Sequence, residues 1–440
     1  GPDFFKTINY QKMTFSHWRL SIVDHSKKSH QPLNNKEYLF VYNGEIYDFK
    51  ELSKKKFNRE EKSDTNFLFK ILLKNKNLNE ISNYSGFYSY AYLDKIKKNI
   101  TFSRDILGKK PLFYYLDNEK FILSSEEKGI LQYIDKKIDE ESIFQYFFFK
   151  NTFYDKTFFK NINNIPPGAK LNFDIKRWKL KSNKNWEQYY NEKLFQKKES
   201  KKFNNKFYQK LILSVKKRNL CDVKTQLALS GGYDSNLILD LIKSKLKIKN
   251  FSKSISIGFN KKNDETLISE KISKLLNTKI YSIKKNKFGL KNLESIIKYY
   301  DAPLEHPSSI GIDLISKEAR KVDKVLITGE GADDLLFGYN HYKSKTKGSF
   351  AFRLFLKNII LKKILSKKKN LEIFNRLKSK YKINYFRRKA LQSKFSSREL
   401  EIKTHMQTLL KRNDRISMKN SVEIRCPFLD IDIIKLIPKN

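Results

Sequence analysis

The chain is poor in the residues and patterns that identify several large classes of protein. Its 440 residues include only two cysteines, Cys221 and Cys426, too few for a disulfide framework and without the paired spacing of a metal site. It contains no run of about 18 apolar residues, so we expect no membrane-spanning helix. The amino end, Gly1-Pro-Asp-Phe-Phe-Lys6, lacks the charged-then-apolar order of a secretory signal. These absences favour a cytoplasmic protein.

Acidic residues are also scarce relative to basic ones. Lys and Arg total 91 against 47 Asp and Glu, a formal net charge of +44. Such a charge attracts polyanions, but the lysines are spread over the whole sequence, so we interpret most of the excess as a compositional bias. The densest basic stretch, 343–395, is typical of a solvated helical face, with a nucleic-acid surface or an anionic membrane contact as the alternative. No nucleic-acid recognition motif accompanies it, so we expect no specific nucleic-acid partner.

What the sequence does contain changes character at about residues 185–205. The first part is predicted to be rich in strands, for example Tyr38–Tyr42, which is expected to end at Asn43-Gly44. Residues 181–204 are polar and charged and are predicted to form a linker. After residue 205, strands alternate with helices, the pattern of a doubly wound parallel sheet. The predicted fold class is therefore α/β.

One loop in the second part carries the strongest chemical signal. Leu227–Leu229 precedes Ser230-Gly-Gly-Tyr-Asp-Ser235 and a helical pattern follows, so the order is strand, glycine turn, helix. Glycines let the backbone approach a ligand, and the serines and N–H groups at the helix start can bind an anion. Asp234 repels a phosphate unless a divalent cation lies between them. The loop predicts pyrophosphate binding with a metal, hence a nucleotide cleaved between its α- and β-phosphates; an ordinary glycine turn is the alternative.

A second, acidic loop follows the predicted strand Val325–Thr328 and reads Gly329-Glu-Gly-Ala-Asp-Asp334. Ligands of a parallel sheet lie beyond the carboxyl ends of its strands, so both loops can reach one crevice. We expect Asp234 and Asp333 to hold one Mg²⁺ from two sides, together with phosphate oxygens. Glu330 is then free for substrate contact or proton transfer. A solvated acidic turn is the alternative.

A third cluster, 412–430, is rich in arginine. Either Arg415 or Arg425 could pair with the carboxylate or phosphate of a ligand. Ordinary buried ion pairs explain these arginines equally well, so the sequence leaves their role open.

Together these clusters resemble the glutamine-dependent asparagine synthetase family, closely so in 230–235, 328–339 and 412–430. The front of the chain resembles the same family's glutaminase domain in a series of co-linear segments. These segments are Gly1-Pro-Asp3, Arg19-Leu-Ser-Ile-Val-Asp24, Gln31-Pro32, Asn43-Gly-Glu-Ile-Tyr47, Ser63-Asp-Thr65, Arg104-Asp105, Gly108, Lys110-Pro-Leu-Phe113 and Ser125-Glu126. The resemblance implies an antiparallel β-sandwich glutamine amidotransferase domain over 1–185 and an ATP-pyrophosphatase domain with a doubly wound parallel sheet over 205–440.

The resemblance implies two coupled reactions. Glutamine is hydrolysed, and its ammonia passes internally to a second site, where ATP with Mg²⁺ adenylates the aspartate side chain and ammonia displaces AMP. Glu330 matches the position linked to forming the acyl-adenylate. The residues expected to bind ATP or its pyrophosphate are Leu229, Ser230, Gly231, Gly232, Asp234, Ser235, Ile257, Thr328 and Gly329. Those expected to bind glutamine are Arg19, Ile22, Val23, Asn43, Gly44, Glu45 and Asp64, with Asn43 and Gly44 forming the oxyanion hole.

The sequence departs from the family in several places. The family's nucleophile is an N-terminal cysteine, but the first cysteine here is Cys221, so we expect a chain truncated at its start, with a dead glutaminase as the alternative. A catalytic lysine of the family lies beyond the last residue, so we expect truncation at both ends, with the activity belonging to the full-length protein and this fragment itself inactive. Asp334 stands where glutamate is usual, and His306 where many members have an acidic residue near the acceptor.

The acceptor and the assembly stay open. Aspartate is the leading acceptor; a carboxylated sugar or a peptide, as in relatives serving surface-polysaccharide or secondary-metabolite synthesis, is the alternative that His306 and the basic segment 343–395 favour. The expected partners are small molecules: glutamine, ATP, and aspartate or another carboxylate. A homodimer is compatible with the resemblance.

Overall fold

The computed structural model describes residues 1–149, 151–152, 155–182, 202–258, 264–284, 290–336, 338, 402 and 405–437. The basic segment 343–395 and most of the predicted linker lie outside the described residues. The strands are β1 (Phe4–Tyr10), β2 (Met13–Arg19), β3 (Leu33–Asn34), β4 (Tyr38–Ile46), β5 (Gly86–Asp94), β6 (Asn99–Arg104), β7 (Phe113–Leu116), β8 (Phe121–Ser124), β9 (Asn163–Asn164), β10 (Lys170–Asp174), β11 (Lys179–Ser182), β12 (Thr225–Ala228), β13 (Phe251–Gly258), β14 (Ile280–Lys284), β15 (Val325–Ile327) and β16 (Glu423–Arg425). The α-helices are α1 (Phe49–Phe57), α2 (Asp64–Asn75), α3 (Glu127–Ile130), α4 (Glu140–Phe149), α5 (Phe203–Arg218), α6 (Tyr233–Asp240), α7 (Glu265–Leu275), α8 (Leu290–Tyr300), α9 (Ser309–Arg320), α10 (Ala332–Leu336), α11 (His405–Lys419) and α12 (Ile431–Ile434). None of the helices in these ranges is long and apolar enough to cross a membrane.

The front part is built on an antiparallel six-stranded sheet in the order β11-β10-β6-β5-β4-β3. Side chains of β4 alternate between its faces, as a strand buried on both sides requires. Phe40 and Tyr42 join a core with residues of α2, whereas Leu39 and Val41 pack with the β1–β2 hairpin and with β7 and β8. The predicted layer of antiparallel sheets is therefore confirmed.

The strand β4 does not end where the sequence predicted. It continues through Asn43-Gly44 to Ile46, with Gly44 opposite Tyr88 and Ile46 opposite Gly86. Asn-Gly favours a turn when only local preferences act, but here β5 pairs with β4 along its full length and overrides that preference. A Cβ atom at position 44 would lie 2.2 Å from the backbone oxygen of Phe87, so the glycine allows the two strands to approach.

The second part contains a five-stranded parallel sheet in the order β14-β13-β12-β15-β16. The chain runs outward from β12 to β14 and then returns to the other side of β12 for β15 and β16, so the strand order reverses between β12 and β15. Leu227, Ile255 and Leu326 are fully buried at the centre of this sheet. The predicted parallel sheet is confirmed, and its reversal point lies between the two loops with chemical signals, where open α/β sheets bind ligands.

The two parts meet through buried ion pairs. Lys110 Nζ of the front part lies 3.0 Å from Asp414 Oδ1 and 3.6 Å from Glu423 Oε2 of the second part. Arg425 Nη2 of the second part lies 3.5 Å from Glu45 Oε2 of the front part. A buried charge persists only when it is paired, so these contacts fix which residues of the two parts face each other.

Candidate active site

The 229–235 loop has the predicted order of strand, turn and helix, between β12 and α6. Gly231 has a φ of +76°, and a Cβ there would lie 2.8 Å from the backbone oxygen of Glu265. Both the left-handed conformation and the close approach require glycine. Leu229 N donates to the oxygen of Ile255 at 2.8 Å, which ties the start of the loop to β13.

The two serines of the loop lie on the same side of the turn. Ser230 Oγ and Ser235 Oγ are 3.2 Å apart, and Ser230 Oγ accepts a hydrogen bond from Gly232 N at 3.3 Å. Ser230 and Gly232 are exposed at the surface. The loop therefore presents hydroxyl groups and the N-terminus of α6 to a ligand, an arrangement suited to an anion.

Asp234 and Asp333 come from different loops and influence each other electrostatically. Burial, and then the negative charge of Asp333, raise the pKa of Asp234 to about 6. The pKa of Asp333 is raised by burial and by the charges of Asp334 and Glu330. The loops also touch, since a Cβ at Gly329 would lie 3.1 Å from Asp234 Cβ. The structure thus brings together the two carboxylates that the sequence predicted to share a cation.

The residues present fit a divalent cation only in part. Carboxylate oxygens are ligands that Mg²⁺ prefers. The two neighbouring negative charges repel each other, and a cation bound between them relieves that repulsion. Within the described ranges, no group of three or more His, Cys, Asp or Glu side chains is arranged to hold a metal ion. A cation held by these two carboxylates would complete its coordination with other oxygens, such as those of phosphate and water.

Glu330 forms an ion pair with an arginine of a distant segment. Its Oε1 lies 2.9 Å from Nη2 of Arg412, a buried residue of α11. Arg412 also donates to Ser308 Oγ at 2.6 Å and to Asn413 Oδ1 at 3.0 Å. The sequence could not show this pair, because Arg412 lies 82 residues beyond Glu330 along the chain and meets it only in the folded protein, so the role of Glu330 in substrate contact or proton transfer stays a prediction.

Arg412 is therefore the functional candidate that sequence reasoning missed. The arginine-rich segment 412–430 was the available signal, but it did not distinguish Arg412 from Arg415 or Arg425. The structure does, because Arg415 pairs with Glu127 and, at 3.1 Å, with Asp301. Arg415 and Arg425 are both fully buried in such ion pairs. The interpretation as ordinary buried pairs is correct for these two residues.

Thr328 and Ile257 lie at the same edge of the parallel sheet as the two loops. Thr328 follows β15 directly and is buried, with its backbone N–H donating to the oxygen of Arg425 at 3.0 Å. Ile257 is the penultimate residue of β13 and is half-buried. Both therefore stand where a nucleotide bound across the carboxyl ends of the strands would lie.

Two histidines contact residues that lie four positions from Glu330 or Arg412 along the chain. His306 Nε2 is 2.6 Å from Thr408 Oγ1, and His405 Nδ1 is 3.1 Å from Asp334 Oδ1. The two imidazole rings are 5.4 Å apart, edge to face. His306 precedes by two residues the serine that Arg412 contacts, so it lies beside the site, and sequence reasoning identified neither His405 nor Thr408.

The predicted glutamine pocket begins at Arg19, the last residue of β2. Its guanidinium group donates hydrogen bonds to the backbone oxygens of Val23, at 3.1 Å, and Asp24. Residues 20–24 therefore wrap around the Arg19 side chain. Ile22 and Val23 are buried within this loop, so three of the predicted residues lie together.

Asp64 is joined to the same loop through serine side chains. Ser29 Oγ lies 2.5 Å from Asp24 Oδ2 and 2.8 Å from Ser63 Oγ. Ser63 caps α2, whose first residue is Asp64. Burial raises the pKa of Asp64 to about 6, even though hydrogen bonds, including one of 3.0 Å from Ile46 N, oppose the shift.

The remaining predicted glutamine residues lie on β4. Asn43 and Gly44 are half-buried in the strand. They precede Ile46 by three and two residues, and the backbone N–H of Ile46 donates a hydrogen bond to Asp64. Glu45 differs, because its buried carboxylate lies 3.5 Å from Nη2 of Arg425 at the boundary between the two parts. The glutamine-binding role of Glu45 stays a prediction.

Comparisons with known proteins match both parts of the chain. Residues 1–188 match the glutamine amidotransferase domain, and residues 206–439 match asparagine synthase. The chain is 31% identical over 369 residues to a protein assigned as asparagine synthetase (glutamine-hydrolyzing) 2 of Methanocaldococcus jannaschii, which covers 77% of this chain and 70% of that protein. It is 27% identical over 502 residues to asparagine synthetase (glutamine-hydrolyzing) 1 of Bacillus subtilis, covering 100% of this chain and 76% of that protein.

A more distant relative has a different name. Amidase chyE of Penicillium rubens is 26% identical over 373 residues, covering 78% of this chain and 54% of that protein. The two domain matches and the fold together define a ligase that forms amides with nitrogen from glutamine. The chain belongs to the asparagine synthase family.

Proposed function

We propose that the full-length protein makes asparagine from aspartate, using ATP and glutamine-derived ammonia, through an acyl-adenylate. One observation carries the proposal: Asp234, Asp333 and the Glu330–Arg412 pair gather at the carboxyl ends of β12 and β15. A reaction that splits a nucleotide at its α-phosphorus needs groups for the pyrophosphate and groups for the acyl acceptor in one crevice.

The 230–235 loop is suited to the pyrophosphate. The hydroxyls of Ser230 and Ser235 and the N-terminus of α6 would receive its oxygens. Asp234 and Asp333 would hold Mg²⁺, which when bound neutralises negative charge on the departing pyrophosphate. Ile257 and Thr328 would line the nucleotide at the same sheet edge.

The Glu330–Arg412 pair is suited to the acyl group. Arg412 is fixed by Ser308 and Asn413, so it holds the Glu330 carboxylate in one orientation. A carboxylate beside the reacting carbonyl can take a proton from ammonia as the amide forms. Glu330 would therefore act on the acceptor, with Arg412 as its positioning residue.

The front domain would deliver the ammonia. Arg19 and Asp64 are oppositely charged and close enough to interact electrostatically, which suits the carboxylate and ammonium groups of free glutamine. Asn43 and Gly44 would stabilise the oxyanion of the hydrolysis.

An acceptor screen on the full-length protein tests this function. Pyrophosphate release is measured with ATP, an ammonium salt, and aspartate or another carboxylic acid in turn, so that the result does not depend on glutamine hydrolysis. Aspartate is expected to give release well above the rate without acceptor. Release with another acid but not with aspartate would end the asparagine assignment.

The second candidate acceptor is a carboxylated sugar or a peptide. His306 favours it, because an imidazole stands two residues from Ser308, which contacts Arg412. The same acceptor screen includes both compound classes and separates the two candidates.

A further inference from the structure

The second domain forms hydrogen bonds with the loop that carries residues predicted to bind glutamine. We define residues 20–24 as the glutamine loop. Asp222, which belongs to the second part, donates from its backbone N–H to the oxygen of Ile22 at 3.2 Å. Its side chain also accepts a hydrogen bond from Asp24 N, with 2.8 Å between Oδ2 and the nitrogen. A single residue thus engages the loop from both its backbone and its side chain.

Lys324 holds the other end of the glutamine loop. Its Nζ donates to the backbone oxygen of Ser21 at 3.1 Å and to Asp3 Oδ2 at 2.7 Å. Asp3 Oδ2 in turn accepts from Ser21 N at 2.7 Å. Burial acts to raise the pKa of Asp3, but the hydrogen bonds from Lys324 and Ser21 outweigh it and hold that pKa below its ordinary value.

Asp222 and Lys324 lie at the starts of the two strands that lead to the nucleotide loops. Asp222 lies just before β12, whose far end leads to Ser230, and Lys324 lies directly before β15, whose far end leads to Gly329. Asp323 joins these two starts, since its carboxylate accepts from Lys224 N at 2.8 Å and from Lys324 N at 2.9 Å. Each strand therefore has the glutamine loop at one end and a nucleotide loop at the other.

We propose that Asp222 and Lys324 are positioning residues for glutamine, supplied to the front domain by the second domain. The inference rests on the proposed function, which assigns Ile22 and Val23 to the glutamine pocket. Because Arg19 is held by the oxygens of Val23 and Asp24, the shape of the loop fixes the position of its guanidinium group. Loss of the side chain of Asp222 or of Lys324 makes the glutamine loop less rigid and weakens glutamine binding. The nucleotide loops, at the opposite ends of β12 and β15, keep their geometry.

The test uses four variants of Asp222 and Lys324 and one control variant, all made in the full-length protein. Asp222→Ala removes the acceptor for Asp24 N, and Lys324→Met removes the donor while keeping the aliphatic part of the side chain. The conservative variants Asp222→Asn and Lys324→Arg keep an acceptor and a donor in place. Lys224→Ala is the matched control, because Lys224 is exposed and lies between Asp222 and β12.

Two activities are measured in each preparation: glutamate release against glutamine concentration, and pyrophosphate release with an ammonium salt. Asp222→Ala and Lys324→Met are expected to raise the KM for glutamine at least about fivefold, the effect of one lost hydrogen bond. Their ammonia-dependent constants are expected to match those of the wild type. Asp222→Asn and Lys324→Arg should recover most of the lost affinity, and Lys224→Ala should change neither activity.

An unchanged KM for glutamine in both Asp222→Ala and Lys324→Met would overturn the proposal. A parallel loss of ammonia-dependent activity would overturn it as well, because it would show damage to the fold and not to the glutamine loop. Failure of the proposed function looks different. In that case the wild type releases no pyrophosphate with any acceptor, while glutamate release still reports whether the two residues position glutamine.

Discussion

Nη2 of Arg412, in α11, and Oε1 of Glu330, in the loop after β15, are 2.9 Å apart. The arginine side chain is 6% exposed and the glutamate side chain 19% exposed. The pair is thus largely shielded from water, and a charge-assisted hydrogen bond is stronger in such an environment than at the surface. Its geometry ties the activity of Glu330 to a residue of a distant segment.

Glu330→Gln is expected to lower the turnover number for pyrophosphate release by about 100-fold or more, because the amide cannot accept a proton. Arg412→Ala should lower the same constant and also lower stability, since it leaves Glu330 without its cationic partner. Steady-state kinetics with saturating ammonium salt, together with thermal denaturation, check both. Arg177→Ala, which breaks an exposed pair with Asp174, serves as the control. A Glu330→Gln enzyme with full turnover would remove Glu330 from the mechanism.

The pair Asp234 and Asp333 predicts a shared cation. We expect Asp234→Asn and Asp333→Asn each to raise the Mg²⁺ concentration needed for half-maximal pyrophosphate release. The double variant should do little more harm than either single one, because residues that act on one ion are not additive. Asp240→Asn, at the far end of α6, is the matched control. Fully additive effects would indicate that the two carboxylates serve different ligands.

The raised pKa of Asp234, about 6 against an ordinary 3.8, predicts a pH-dependent stability. The folded state holds this proton at pH values where the unfolded chain has released it, so the carboxylate's contribution to stability falls as the pH rises from about 4 to about 6. The pKa of Asp64 is raised as well, so its contribution to stability falls over the same pH range. Comparing the wild type with Asp234→Asn isolates the contribution of Asp234. We expect this variant to be more stable than the wild type above pH 6 without Mg²⁺, by on the order of 1 kcal/mol after allowance for solvent screening.

Denaturant unfolding between pH 4.5 and pH 7.5 measures this difference. Added Mg²⁺ should reduce it, because a cation favours the ionised form of Asp234. Parallel pH curves for the wild type and Asp234→Asn would show that the aspartate is not strained in the folded state.

Gly231→Ala is expected to destabilise the protein by about 1–3 kcal/mol, since alanine is disfavoured at positive φ and its Cβ would press on the backbone of Glu265. Gly311→Ala is the matched control. Gly311 lies within α9, where a Cβ would meet only ordinary contact with Ile257 at 3.9 Å, and alanine favours helices. Thermal denaturation of both variants checks the contrast. Equal melting temperatures would mean that the 230–235 loop adapts to a side chain.

The sequence predicted those features of the fold that depend on local order. Strand, turn and helix around Ser230-Gly-Gly-Tyr-Asp-Ser235 follow from apolar spacing and two glycines, and the structure has them. The end of β4 was predicted wrongly, because Asn43-Gly44 favours a turn locally and only pairing with β5 keeps the chain extended. Arg412 was missed for a related reason: its partner Glu330 lies in another segment, and no sequence spacing records which of several arginines will reach it.

The boundary between the two halves has a consequence for protein engineering. Lys110 on one side is neutralised by Asp414 and Glu423 on the other. Replacing either half with its counterpart from a relative, without also transferring the opposing side chains, would leave a buried charge without its partner. Chimeras of this protein therefore have to exchange the matching residues on both sides together.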